Sequence, residues 1–234
     1  MRISPYQLVF LAIVAAGNVC AQSRDVKLVG SSQPAGRPML VVPMDAIGAE
    51  YRGKVAAIIK KPTVLARAVP EEFEQGLYPW LLEHPDRASL AWRRLGVPCA
   101  EIVDHGKGVF GWSDNSGTEV SWRTVAKSDT MRVWLAEGHT KLGPLLPTVP
   151  IHAVVVLHSP KTIRRDGLVV IAHSTDIYLQ TESRATAMIA KTLGSAAPQL
   201  AEQGAGQLLL FFSGLTRYFN IHPDDVDTLL AAKK

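Results

Sequence analysis

The chain has 234 residues, 47% hydrophobic and 20% charged, with 18 glycines and 15 prolines. That balance excludes a disordered, collagen-like or coiled-coil protein. Only one stretch is long and apolar enough to stand out, at the N-terminus, so a polytopic membrane protein is excluded too; a formal net charge of +4 gives no electrostatic ground for a nucleic-acid or membrane-surface partner.

Residues 1–21 read as a secretory signal peptide, with Arg2 as the positive n-region, Leu8 to Ala16 as the apolar h-region, and Val19 and Ala21 at the −3 and −1 positions of a cleavage site. The apolar run is shorter than the roughly 20 residues that span a bilayer. The expectation is therefore export to the periplasm or the extracellular space, with no stable membrane span after cleavage. A retained anchor and lipidation at Cys20 are the alternatives; Val19 argues against the second, because a small residue precedes a lipidated cysteine. Cleavage would leave a net charge of +3 and Cys99 as the only thiol, so no intramolecular disulfide could form and stability would rest on packing.

Residues 22–38 are polar and rich in turn formers and read as a flexible leader; 39–234 reads as a single α+β domain. Residues 39–42 predict a short strand, and 47–61 a helix with Val55, Ile58 and Ile59 on one stripe, ended by Pro62. Residues 63–70 carry no clear period. Helices follow over 73–83 and 86–95, the second stopped by Gly96. From Ala100 to Gln180 the period turns to that of strands, near 100–104, 108–112, 118–126, 130–137, 140–143, 150–158, 167–173 and 176–180, with Gly138-His139 as a two-residue hairpin and Pro144, Pro147 and Pro150 breaking the meander. Helical pattern returns over 184–193, then from Ser195 to about Phe219 through the apolar block Leu208 to Phe212, and over 224–232. Helices, an antiparallel meander and helices again predict an α+β fold. N-terminal helices flank the meander sheet and the long C-terminal helix covers it. Val154-Val155-Val156 and Val169-Val170-Ile171 are apolar on both faces, which places those strands between layers.

A hairpin closed over 113–117 puts Phe110, Trp112, Val120 and Trp122 on one sheet face. A turn at Ser128-Asp129 then sets Trp122 opposite Leu135, brings Met131, Val133 and Leu135 to that face and points Trp134 away. Such a face is either ordinary core or one wall of an apolar pocket.

Several motifs resemble chemistry without its full requirements. Gly48 to Lys54 has P-loop spacing, but Val55 replaces the hydroxyl residue that binds Mg²⁺. Gly106 to Gly111 fits GxGxxG, but a strand pattern follows where a helix is needed. His84-Pro85-Asp86 and His222-Pro223-Asp224 read as helix starts; the first is similar to the HPD loop of J-domain co-chaperones, without the basic helix those domains carry before it. No HExxH, GxSxG or CxxC occurs. His152 and His173 are the candidate metal ligands, since a hairpin looped over Pro160 to Asp166 would set them opposite each other. Asp176 and Glu137 are candidates for a third position. Residue types and spacing call for no cofactor.

The segments Trp80 to Trp112, Met131 to Pro150 and Gly206 to Pro223 resemble uncharacterised exported proteins of planctomycete bacteria, a resemblance that implies export and a single domain but no chemistry. In element order the chain is similar to the helix-grip cradle of START-type lipid-binding proteins, from which it departs by its N-terminal helices and a second C-terminal helix. The leading expectation is a non-enzymatic exported protein that binds an apolar small molecule or lipid between the sheet and the helix Gln199 to Phe219. The lining would be Phe110, Trp112, Val120, Trp122, Val133, Leu135, Leu208, Phe211 and Phe212. The alternatives are a solid-cored envelope scaffold with an unidentified protein partner, and a hydrolase acting through Cys99 or a histidine.

Overall fold

The computed structural model describes residues 40–68, 70–114, 117–141, 148–181 and 197–232. The signal-peptide and leader assignments, the helix expected over 184–193 and the prolines 144 and 147 lie outside them.

Chain order gives helix α1 (Ala49–Lys60), strands β1 (Val64–Arg67) and β2 (Glu71–Glu74), helices α2 (Tyr78–Glu83) and α3 (Pro85–Arg94), seven further strands, β3 (Val103–Asp104), β4 (Val109–Ser113), β5 (Glu119–Lys127), β6 (Met131–Lys141), β7 (Thr148–His158), β8 (Lys161–Ile163) and β9 (Val169–Thr181), and finally helices α4 (Ala197–Ile221) and α5 (Val226–Leu230). The nine strands form one antiparallel sheet in the order β1-β9-β7-β6-β5-β4-β3, with β2 and β8 also paired to β9. The α+β class, the N-terminal helices and the long C-terminal helix are as the sequence implies.

Both faces of the sheet are covered. On one, α1 seats Val55 and Ile58 and the preceding Ile47 against Val133, Leu135, Val154, Val156 and Tyr178. On the other, α2, α3 and α4 bury Leu81, Ala91, Leu209, Phe212 and Leu215 with Trp134, Val155, Leu157 and Ile177. The three consecutive valines of β7 are each at most 1% exposed, which is what a strand apolar on both faces requires. The helix α4 runs closest to β1, β2 and β9. Trp92 of α3 closes over its outer side, with its indole N–H donating to the Phe211 carbonyl at 2.9 Å.

The differences from expectation have local causes. Residues 40–43 form no strand; a single 3₁₀ turn, Met44–Ala46, follows them. Glu71–Glu74 is a strand where a helix was expected from Phe73, because the β1–β2 segment lies along the edge of β9. Gly138 is no turn. A Cβ there would lie 2.1 Å from the Glu119 carbonyl oxygen, so the glycine lets β5 and β6 approach and β6 runs straight through to Lys141. The expected strands 167–173 and 176–180 are one strand, β9.

Candidate functional site

The helix-facing side of the sheet is built from cross-strand rows. Phe110 pairs with Trp122, Trp122 with Ala136, Ala136 with Ala153 and Ala153 with Leu179. The next row toward the strand ends is Trp112, Val120, Gly138 and Ile151. The row on the other side sets Trp134 beside Val155 and Ile177. Phe110, Trp112, Val120 and Trp122 therefore share one face, as their alternation demands, with a register two residues from the expected one.

Val133 and Leu135 do not join them. The β5–β6 turn closes at Asp129-Thr130, with Ser128 N–H donating to the Met131 carbonyl at 2.8 Å, and a bulge at Val125 shifts the register between Thr124 and Ala126. One extra residue exchanges the two faces of everything beyond it. Trp122 thus faces Ala136 instead of Leu135. Val133 and Leu135 pack under α1, and Trp134, expected to point away, stacks on Phe212 at a ring separation of 6.1 Å. Phe211 and Phe212 of α4 are buried on the aromatic side, and Leu208 packs against the same cluster.

This layer has two unlike ends. Where α4 passes β2 it is filled with rings: Trp134 and Tyr78 flank Phe212, and Phe73 and Tyr78 pack edge-on against His173 at 4.7 and 5.5 Å. Toward Phe110 and Trp122 the sheet carries Ala136, Ala153 and Gly138. Ala136 and Ala153 lie between the large Trp122 on one side and Leu179 on the other, and Gly138 lies between Val120 and Ile151. Phe110 and Trp122 are only half-buried, while Ala136 and Ala153 are buried. The helix brings Ala201 and Ala205, both fully buried, to its N-terminal half.

A polar cluster no motif announces sits in the ring-filled end. Glu71 Oε2 accepts the Ser213 hydroxyl at 2.9 Å and His173 Nε2 at 3.3 Å; Glu71 Oε1 faces Arg217 at 2.6 Å. A carboxylate only accepts, so the neutral imidazole carries its proton on Nε2, and Nδ1 accepts from the Tyr78 hydroxyl at 3.1 Å. His173, Tyr78 and Ser213 are at most 1% exposed. Burial pushes the imidazole below the ordinary histidine range, against the pull of Glu71, and holds the Tyr78 phenol well above its usual value. The hydrogen bond from His173, with that from Ser213 and the charge of Arg217, holds the Glu71 carboxyl below the usual range against the effect of burial. Ser213 donates to Glu71 and not to the imidazole, and His173 is out of solvent's reach. The cluster is a set of satisfied bonds that ties β2 and β9 to α4, without the nucleophile-to-base contact of a hydrolase. Only their place on the same edge of the fold links Glu71, Tyr78, Ser213 and Arg217; their sequence spacing carries no signal.

His152 and His173 do not meet. The β7 strand continues past Ser159-Pro160 into β8, and the chain turns only at Arg164 to Leu168, so His152 stands opposite Gln180 and His173 lies seven positions away on the other face. His152 lies 3.5 Å from Glu137, which also binds Lys54. Among the described residues no group of three or more His, Cys, Asp or Glu could hold a metal ion. Cys99 is half-buried against the helix-side cluster, Gly48 opens α1, and Gly106 to Gly111 form a turn and the start of β4. Pro85 and Pro223 each open a helical turn after their histidine, as capping predicts.

No family model and no curated protein matches the chain. Among solved structures it is similar to a conserved protein from Geobacillus kaustophilus, at 11% identity and TM-score 0.41, over 64% of this chain and 93% of the other. A hypothetical protein from Helicobacter pylori matches with the same identity and score over 77% and 98% of the two chains. The di-domain ARO/CYC BexL from the BE-7585A biosynthetic pathway matches at 15% identity and TM-score 0.31, over 76% of this chain and 54% of that one. No helix among the described residues is long and apolar enough to cross a membrane.

Proposed function

We propose that the protein binds an apolar small molecule or a lipid chain between the aromatic face of its sheet and the N-terminal half of α4, in the manner of the helix-grip cradle its element order resembles. The observation that carries the reading is the row Trp122, Ala136, Ala153 and Leu179, small side chains between large ones on the same side of the sheet as Trp134, Val155 and Ile177, which pack against α4. Small side chains at the centre of a sheet leave volume that neighbouring large ones do not fill, and apolar pockets are lined in this way. The half-buried Phe110 and Trp122 mark where a ligand would enter. The lining expected on Val133 and Leu135 passes to Trp134, Ala136 and Ala153. On this reading the protein is exported, as its first 21 residues and its likeness to exported planctomycete proteins imply, and it carries no catalytic group.

Native mass spectrometry of the purified protein, before and after organic extraction, tests the proposal. An adduct of lipid mass that extraction removes, and that an added fatty acid restores, is expected. Absence of both an adduct and saturable fatty-acid binding would leave the solid-cored scaffold as the better reading.

A further inference from the structure

The mild net charge of the chain hides an uneven distribution. The strand pair β8–β9 ends in a hairpin, Lys161 to Leu168, in which every residue is exposed. Arg164 N–H donates to the Leu168 carbonyl at 2.9 Å, and Gly167 N–H donates to the Arg164 carbonyl at 2.9 Å. Leu168 N–H donates to Asp166 Oδ1 at 3.1 Å, and Gly167 takes φ +83°. This is the closed geometry of a short hairpin loop with glycine in its left-handed position, so the tip is held in one shape. It displays two large apolar side chains to water, Ile163 at 73% and Leu168 at 43% exposure. Around them stand Lys161, Arg164 and Arg165. Arg164 pairs with Asp166 at 2.9 Å, and among the described residues Lys161 and Arg165 have no ion-pair partner. The exposed acids Glu72 and Glu74 sit on β2, on the far side of β9 from β8, and Asp129 lies in the β5–β6 turn, where the Thr130 carbonyl accepts from Ser159 N–H two residues before Lys161. At the same end α4 finishes in Ile221, 73% exposed, next to Asn220, whose side chain donates to the Glu74 carbonyl.

We propose that this hairpin is a docking element for an anionic lipid surface, with Ile163 and Leu168 entering the headgroup boundary and Lys161 and Arg165 meeting lipid phosphates. Exposed apolar residues ringed by cations are the composition that interfacial binding selects, apolar burial and attraction to anionic lipid adding together. The same charges disfavour a second copy as the occupant. Pairing β8 edge to edge across a two-fold axis would set Lys161, Arg164 and Arg165 of one chain against those of the other. The inference does not rest on the cradle reading, since the hairpin is remote from Ala136 and Ala153 in the strand register.

The test is flotation of protein recovered from the periplasm of an expressing bacterium, its N-terminus read by intact mass. The vesicles are phosphatidylcholine alone, or equal parts phosphatidylcholine and phosphatidylglycerol. The wild type is expected to float with the anionic vesicles at low salt, weakly at high salt, and not with neutral ones. The double variants Ile163→Ser with Leu168→Ser and Lys161→Glu with Arg165→Glu should each lower the bound-to-free ratio at least about tenfold. Far-UV circular dichroism and fluorescent fatty-acid binding should stay unchanged in both, because the substituted side chains are exposed. Wild-type protein that ignores anionic vesicles, binds neutral ones equally, or is matched by both double variants overturns the proposal. So does a concentration-dependent dimer that Ile163→Ser abolishes, which would assign the hairpin to a second copy of the chain.

Discussion

Replacing His173 by glutamine separates two sources of acid sensitivity. In the folded protein burial keeps the His173 imidazole neutral, below the ordinary histidine range. In the unfolded chain it takes up a proton below about pH 6.5. The unfolded state then binds more protons than the folded state. The contribution of His173 is full above that pH and is lost as the pH falls, by at most about 1.4 kcal/mol per pH unit, until the folded pKa is reached. Glu71 acts in a lower window. Its carboxyl is depressed in the fold, chiefly by its bond from His173, so its contribution is present above about pH 4.3 and is lost on further acidification. Glutamine keeps a side-chain N–H for Glu71 but does not titrate, and it leaves the Tyr78 hydroxyl with a poorer acceptor, at a cost of about 1–3 kcal/mol at neutral pH. Denaturant unfolding followed by tryptophan fluorescence at several pH values reads both effects. His173→Gln should start less stable and then lose stability more slowly than wild type between about pH 6.5 and pH 5. His152→Gln is the parallel control, since desolvation also lowers His152, which is nearer the surface. If His173→Gln and wild type lose stability equally across that window, the buried imidazole is not the group that titrates.

Two substitutions and one deletion probe the architecture. Gly138→Ala places a methyl 2.1 Å from the Glu119 carbonyl oxygen and should cost about 3 kcal/mol or more in thermal or chemical unfolding; a loss under about 1 kcal/mol would mean that β5 and β6 separate freely. Arg94 donates to the carbonyls of Thr228, Leu229 and Ala231 at 2.8–2.9 Å, so Arg94→Met should fray α5, with faster amide exchange over 226–230 and a stability loss of about 1 kcal/mol for this exposed side chain. Deleting Val125 removes the bulge and should force one side of the β5–β6 pair onto the wrong face, giving a protein with lost near-ultraviolet tryptophan ellipticity and a cooperative transition that is broadened or absent.

The layer order was legible in the sequence because it depends on period and length, which are local. Val154-Val155-Val156 announced a strand covered twice, and the Leu208 to Phe212 block announced the helix that covers it. The aromatic face was half legible. Alternation fixes Phe110, Trp112, Val120 and Trp122 relative to one another, but the step to β6 passes through a bulge at Val125 that no glycine or proline marks. That step decides whether Leu135 or Ala136 faces Trp122. Punctuation residues misled where tertiary contact gave them another purpose. Gly138 permits close approach and not a turn, and Pro160 lies where β7 hands over to β8 without ending the strand pair, which moved His152 away from His173. The Glu71, His173, Tyr78 and Ser213 cluster was invisible, because it joins three stretches far apart in sequence, and the part of β2 from Phe73 onward carries a helical pattern.

The most direct measurement is a titration of a fluorescent fatty acid into the wild-type protein and into Ala153→Phe, with unfolding followed on the same samples. Binding in a space above the small-residue floor requires saturable uptake by the wild type. The phenylalanine variant should then remain folded, because its ring occupies that space, and should bind at least about tenfold more weakly, a difference of 1.4 kcal/mol or more. A wild type that takes up no fatty acid, together with an Ala153→Phe variant that unfolds because the layer is already full, would contradict a ligand-binding cradle.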